Sequence, residues 1–152
     1  MDYKPMRIIV QSRDMIRELK VDEPYIVISI YEPDDPEGPA KLKESKHLLD
    51  VLRLTFHDID DAGTYRTLYP NSAKAKKLVS ISDAQAKEIV EFVTKHICDV
   101  EVIVCQCDAG ISRSSAVAAA LSKCIHGVDD FYFENYLPNM LVYRKVMAAW
   151  NK

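Results

Sequence analysis

Cys107 and Arg113 stand six positions apart in the run Gln106-Cys107-Asp108-Ala109-Gly110-Ile111-Ser112-Arg113-Ser114. A thiol attacks only as its thiolate, and a free cysteine with a pKa of about 8.5 is a few per cent ionised at neutral pH. A guanidinium is a permanent cation whose planar fork grips two oxygens of a phosphate at once. Gly110 permits backbone angles that other residues resist. The amides of Asp108, Ala109, Gly110, Ile111, Ser112 and Arg113 can then converge on one anion, helped by the positive end of a helix dipole. The features that bind phosphate also favour the thiolate, so the nucleophile and its target share one environment. Ser114, next to Arg113, is placed to hydrogen-bond the sulfur and make it a better leaving group. The chemistry predicted is attack by Cys107 on a bound phosphate ester. A Cys and an Arg at this spacing are weak evidence alone; Ala109-Gly110, Ser112 and Ser114 in register make the pattern specific.

Such a cradle needs a strand before it and a helix after it. Val102 to Cys105 reads as a buried strand, and Val117, Ala120, Leu121, Cys124 and Ile125 recur on one helical face that Gly127 stops. Upstream, Met6 to Val10 reads as a short strand and Ser12 to Lys20 as a helix with a Ser cap. Tyr25 to Ile30 is a β-branched run typical of a strand covered on both faces. Glu32 to His47, with three prolines, a glycine and many charges, is expected to be a surface loop. Leu52, Leu54 and Phe56 alternate with polar residues as in a half-covered strand. The pattern then fades into a polar stretch from Asp58 to Ser80. Ser82 and Gln85 form a capping box ahead of Ala86, Ile89, Val90, Val93 and Ile97, and Tyr143, Val146, Met147 and Trp150 mark a closing helix. Strands alternating with helices predict an α/β fold: one domain over 1–152, with a mostly parallel central sheet flanked by helices. In such sheets ligands gather beyond the carboxyl ends of the strands.

The bulk properties exclude several classes. The 152 residues are 48% hydrophobic and 28% charged, with a net charge of −3, an ordinary globular balance. Lys and Arg are scattered, so no basic stripe offers itself to a nucleic acid. No apolar run approaches the roughly 18 residues that span a bilayer. The first residues lack the plan of a signal peptide, which makes a cytoplasmic location the expectation. Cys98, Cys105, Cys107 and Cys124 suit reduced thiols better than a disulfide framework, and no Cys/His cluster has zinc-ligand spacing.

The segment from Cys107 to Ser114 resembles the Cys-x5-Arg-Ser/Thr loop of the protein tyrosine phosphatases, especially the compact dual-specificity and bacterial branches. The resemblance is sharp from Val102 to Leu121, looser from Leu52 to Ile97 and weak before that. It implies a phosphocysteine on Cys107, then hydrolysis by water, with no metal or organic cofactor. The substrate implied is a phosphorylated protein or small phosphomonoester, phosphotyrosine first. The family usually places His directly before the catalytic Cys; this chain has Gln106. The family also draws a general acid from a mobile loop carrying Asp. Asp58, directly after the strand ending at Phe56-His57, is favoured for that role, with Asp60 and Asp61 as competitors. The segment from Ala62 to Lys77 is longer than in compact relatives, and its Tyr65, Arg66 and Tyr69 are candidates for the substrate rim.

Other readings compete. An intact loop with little turnover would make a phosphate-binding module that recognises phosphorylated partners. Cys107 with Cys105 or Cys124 would suit thiol redox or arsenate chemistry, although buried cysteines more often pack as small hydrophobes. His57 is expected to face water at its strand end, and His96 and His126 to sit at helix C-termini. Asp108 places a carboxylate in the cradle, which argues against highly anionic substrates.

Overall fold

A computed structural model describes residues 5–73 and 77–152. Met1 to Lys4, at the start of the segment examined for a signal peptide, and residues 74–76 of the expected rim lie outside the described residues. Four strands, β1 (Arg7–Gln11), β2 (Tyr25–Tyr31), β3 (Leu48–Thr55) and β4 (Val102–Gln106), form one sheet in the order β1-β4-β2-β3. Every pairing is parallel. The two central strands are β4 and β2, and every residue of β4 is buried, as is all of β2 up to Ile30. Their continuous Val and Ile runs follow from having protein on both faces.

Three helices cover one face: α3 (Asp83–His96), α4 (Arg113–His126) and α6 (Met140–Trp150). Their inward residues, among them Ile89, Val93, Leu121, Val142 and Val146, meet Ile26, Ile28, Ile103 and Cys105 of the sheet. Each fully buried Ile or Leu contributes about 1.5–3 kcal/mol. The capping box expected at α3 is present: Ser82 Oγ accepts from the Gln85 amide and Gln85 Oε1 accepts from the Ser82 amide, both at 3.0 Å. Gly127 ends α4 at φ +81°, where its N–H reaches Lys123 O. A short α5 (Asp130–Asn135) links α4 to α6.

The opposite face is thinly covered. It holds Ile16, Val21 and Ala40 against Val27, Val102 and Val104, so the segment from Glu32 to His47 is a loop that also roofs the sheet. The helix expected over Ser12–Lys20 is a single turn, α1 (Arg13–Ile16). Beyond it Glu18 N–H bonds Met15 O and Leu19 N–H bonds Ile16 O. These tighter i to i+3 contacts end an α-helix that buries only Ile16. Conversely, the polar stretch after Asp58 contains a helix, α2 (Ala62–Leu68), capped by Asp61. Leu68 and Tyr69 are exposed, so no apolar face announced α2.

Candidate active site

The strands end together, and the segment after β4 turns over the start of α4. Gly110 makes the turn possible. Its φ is +69°, and a Cβ there would lie 2.7 Å from Ser12 N and 2.9 Å from Gln11 C. The loop therefore seats directly on the backbone leaving β1. Two backbone bonds fix it there, Cys107 N–H to Gln11 O at 3.3 Å and Arg13 N–H to Asp108 O at 3.0 Å.

Cys107 is buried at the base of a cavity of about 360 Å³, which it shares with Asp58, Ala109, Ile111, Arg113 and Leu137. Its Sγ lies 3.0 Å from Ser114 Oγ, a hydroxyl able to donate to a sulfur anion. Arg113 is a buried cation, only 5% exposed. One Nη1 bond, 2.9 Å to Phe56 O, anchors its guanidinium to the end of β3. Its Nε, fully buried, has no partner among the described residues. A buried donor left unpaired costs about 1–3 kcal/mol and marks a position where a ligand acceptor is accommodated. Ser112, the residue preceding α4, makes no side-chain cap to that helix. Its hydroxyl donates instead to Asp58 Oδ1 at 2.8 Å, so no Ser112 oxygen occupies the first amides of α4.

Of the three carboxylates considered for the acid, only Asp58 reaches this cavity. Asn139 Nδ2 also donates to Asp58 Oδ1 at 2.9 Å, while the Asn139 amide donates to Ser112 O and its Oδ1 caps α6 by accepting from Val142 N–H. Asp60 lines a neighbouring hollow with Asp58 and Met140, not the one containing Cys107. Asp61 is engaged as the cap of α2. Hydrogen bonds from the Thr64 hydroxyl and the Gly63 amide hold its carboxyl below the usual range.

Asp108 does not carry a free charge. Arg13 Nε donates to its Oδ1 at 3.0 Å, while Arg13 Nη2 reaches Asp35 Oδ2 at 2.9 Å and Gly38 O at 2.7 Å. Arg13 is shared between Asp108 and Asp35, so the negative charge that Asp108 brings to the loop is offset only in part. Gln106, fully buried, donates from Nε2 to Cys107 O at 2.9 Å and accepts at Oε1 from Ser29 Oγ at 2.5 Å.

His57 is buried rather than facing water. Its Nδ1 accepts from Val79 N–H, so the ring proton sits on Nε2 and donates to Asp34 Oδ1 at 2.9 Å. That bond lowers the Asp34 pKa. Glu32, Asp34 and His57 bring ligand atoms within 4.8 Å of one another, but the Val79 bond leaves Nε2 without the lone pair a cation needs. His96 and His126 lie late in their helices as expected, bonded to Asp50 and to Met6 O. Cys105 is fully buried in the core, which pushes its thiol pKa up, and the half-buried Cys124 sits 3.5 Å from Met147 Sδ; all four thiols are free. In the expected rim, Tyr65 lines a cavity that Asp58 also borders, and its ring lies 4.8 Å from that of Tyr69. Arg66 Nη2 donates to Leu78 O at 2.8 Å.

No family model and no curated protein sequence matches the chain. Solved structures match its fold. The human tyrosine phosphatase-like serine/threonine/tyrosine-interacting protein superposes with a TM-score of 0.53 at 18% identity, over 82% of this chain and 75% of its own. PTPMT1, solved in complex with PI(5)P, gives 0.55 at 15% identity over 95% and 90%. The fold is that of the protein tyrosine phosphatases. OH1 from the Orf virus, a tyrosine phosphatase with triple substrate specificity, extends the match to 99% of this chain and 86% of its own, with a TM-score of 0.52 at 12% identity. In this tyrosine-phosphatase fold the chain brings Cys107, Arg113 and Asp58 to one cavity, with the buried Ser114 Oγ 3.0 Å from Cys107 Sγ. Sequence reasoning missed Asn139, Arg13 and Ser29. Asn139 had a local signal, a cap residue preceded by Pro138; the other two had none. No helix among the described residues is long and apolar enough to cross a membrane.

Proposed function

We propose that this chain is a cysteine-dependent phosphomonoesterase acting first on phosphotyrosine in proteins. The observation that carries the reading is Cys107 and the buried Arg113, with its unpaired Nε, in one cavity. The Cys107 thiolate attacks phosphorus, an S–P bond forms, and the ester P–O bond breaks as Asp58 gives its proton to the leaving oxygen. Water then attacks the phosphocysteine, Asp58 takes its proton, and the S–P bond breaks to inorganic phosphate and thiolate. The Ser114 hydroxyl stabilises the departing sulfur, Arg113 holds two equatorial oxygens, and the amides from Asp108 to Arg113 hold the rest. The name of the Orf virus neighbour supports a tyrosine substrate, and the ligand of PTPMT1 makes a phosphoinositide its rival. Glu32, Asp34 and Asp58 line the cavity beside the site against Lys77 among the described residues, a balance unfavourable to polyanions.

One observation favours a second reading, phosphate recognition without turnover: the neutral Gln106 where the family usually has His, in a fold shared with a phosphatase-like interacting protein. Phosphate release from p-nitrophenyl phosphate, phosphotyrosine and phosphoserine peptides and a phosphoinositide separates the two. Turnover of the first two from about pH 5 to pH 8 supports the enzyme. Affinity for the phosphopeptide with no release supports the binding module, and faster release from the phosphoinositide overturns the substrate class.

A further inference from the structure

Four polar side chains cross the sheet in one row beneath the loop. Gln11 of β1 pairs in register with Gln106 of β4, Gln106 with Ser29 of β2, and Ser29 with Arg53 of β3. Ser29 and Gln106 are both fully buried, in strands whose other residues are Ile and Val apart from Tyr25, Tyr31 and Cys105. Apolar residues of similar shape would serve packing there at no desolvation cost, so these polar atoms need another account.

Three of the four are joined head to tail in one direction, while Gln11 Nε2 donates to Val10 O. Arg53 Nη1 donates to Ser29 Oγ at 2.9 Å, and the same nitrogen donates to Ala40 O at 2.9 Å. Ser29 donates to Gln106 Oε1, and Gln106 Nε2 donates to Cys107 O. The peptide that accepts this last bond carries the Asp108 amide, the first N–H of the cradle. Each group that accepts on one side becomes a stronger donor on the other. We propose that Arg53 and Ser29 are positioning residues that stabilise the Cys107 thiolate from inside the sheet, through Gln106 and the Cys107–Asp108 peptide. A permanent cation at the far end of a hydrogen-bond chain here does what an ionisable ring beside the cysteine would otherwise do. No proton moves along the chain; it orients the peptide and polarises its N–H.

The other charged groups near the two ends are accounted for. Cys107 shares its cavity with Arg113 and Asp58, and Asp108 is paired with Arg13. Burial draws the Arg53 pKa down, with smaller influences from Tyr31 and Arg13, and a guanidinium remains charged at neutral pH.

The inference rests on the phosphatase reading for its purpose, but its test does not require turnover. The rate of Cys107 alkylation by iodoacetamide is followed against pH by mass spectrometry of the Cys107 peptide, in wild type, Arg53→Met, Arg53→Lys and Ser29→Ala. The midpoint is expected to rise by roughly 0.5–1 pH unit in Arg53→Met and Ser29→Ala, the scale of a lost charge-assisted bond. Arg53→Lys should recover part of that shift. Arg53 is an exposed residue on an edge strand, so Arg53→Met stays informative if Ser29→Ala fails to fold. An unmoved midpoint in folded Arg53→Met, or no recovery with lysine, overturns the relay. Shifted midpoints in a protein that releases no phosphate would support the relay and sink the phosphatase reading.

Discussion

Gly110→Ala tests whether the loop's seat on β1 sets the site. At φ +69° an alanine is strained by about 1–2 kcal/mol. Its Cβ would also press on Ser12 N at 2.7 Å and Gln11 C at 2.9 Å, both backbone atoms that no rotamer change can clear. Overpacking of this kind costs about 1–3 kcal/mol, so the total loss is about 2–5 kcal/mol. For a chain of this size that lowers the Tm by roughly 4–20 °C. Relief requires the loop to lift by several tenths of an ångström, which moves Cys107 and the amides of the cradle together. A misplacement of about 1 Å costs on the order of 100-fold in rate. Gly127→Ala is the control. Gly127 also has positive φ, at +81°, but no atom lies within 4 Å of its added Cβ, so it should lose only the backbone strain of about 1–2 kcal/mol and keep its activity. Thermal melts and initial rates on p-nitrophenyl phosphate read both variants. If Gly110→Ala melts and turns over like Gly127→Ala, the close seat of the loop has no consequence and the reasoning fails.

Arg13→Ala strips Asp108 of its partner and should raise KM several-fold through the freed negative charge, with about 2 kcal/mol of stability lost from a largely buried cation. Adding Asp108→Asn should restore KM but not Tm; no KM change in the single variant would refute the neutralisation. Asn139→Ala removes a bond to Asp58 and the cap of α6, so about 1 kcal/mol is lost. Its rate should fall far more on phenyl phosphate than on p-nitrophenyl phosphate, and an equal fall on both would argue against Asp58 as the acid. Asp50 is held below its ordinary 3.8 by the hydrogen bond from His96. Its contribution is therefore complete above about pH 4 and lost as pH falls through the depressed folded-state value. Asp50→Asn should flatten that part of a Tm-against-pH curve, and an unchanged acid limb would contradict it.

The cradle was legible because it is local. From Val102 to His126 the strand, the turn glycine and the helix follow one another, and each leaves its own pattern in consecutive residues. What joins that segment to the rest was not legible. Arg13 meets Asp108 across 95 positions and Ser29 meets Gln106 across 77, and only the strand order β1-β4-β2-β3 makes them neighbours. Period-two alternation says which face a residue takes, not which strand lies beside it. The two misread helices fail for related reasons. The pattern from Ser12 to Lys20 suggested a longer helix than its one buried residue supports, and α2 buries too little to show a pattern. His57 looked exposed because its partners, Asp34 and Val79, come from loops on either side of it in sequence. For the acid, sequence left three aspartates open, and their contacts differ through residues distant in the chain: Asp61 caps α2, while Ser112 and Asn139 donate to Asp58.

The central claim is a covalent bond between Cys107 and phosphorus. Rapid-quench mixing of wild type with excess phosphotyrosine substrate, followed by mass spectrometry of the Cys107 peptide, tests it most directly. A phosphorylated Cys107 peptide that forms within the first turnover, decays with phosphate release and is missing in Cys107→Ser is the expected result. Phosphate release with no modified Cys107 peptide, or release undiminished in Cys107→Ser, would contradict the account.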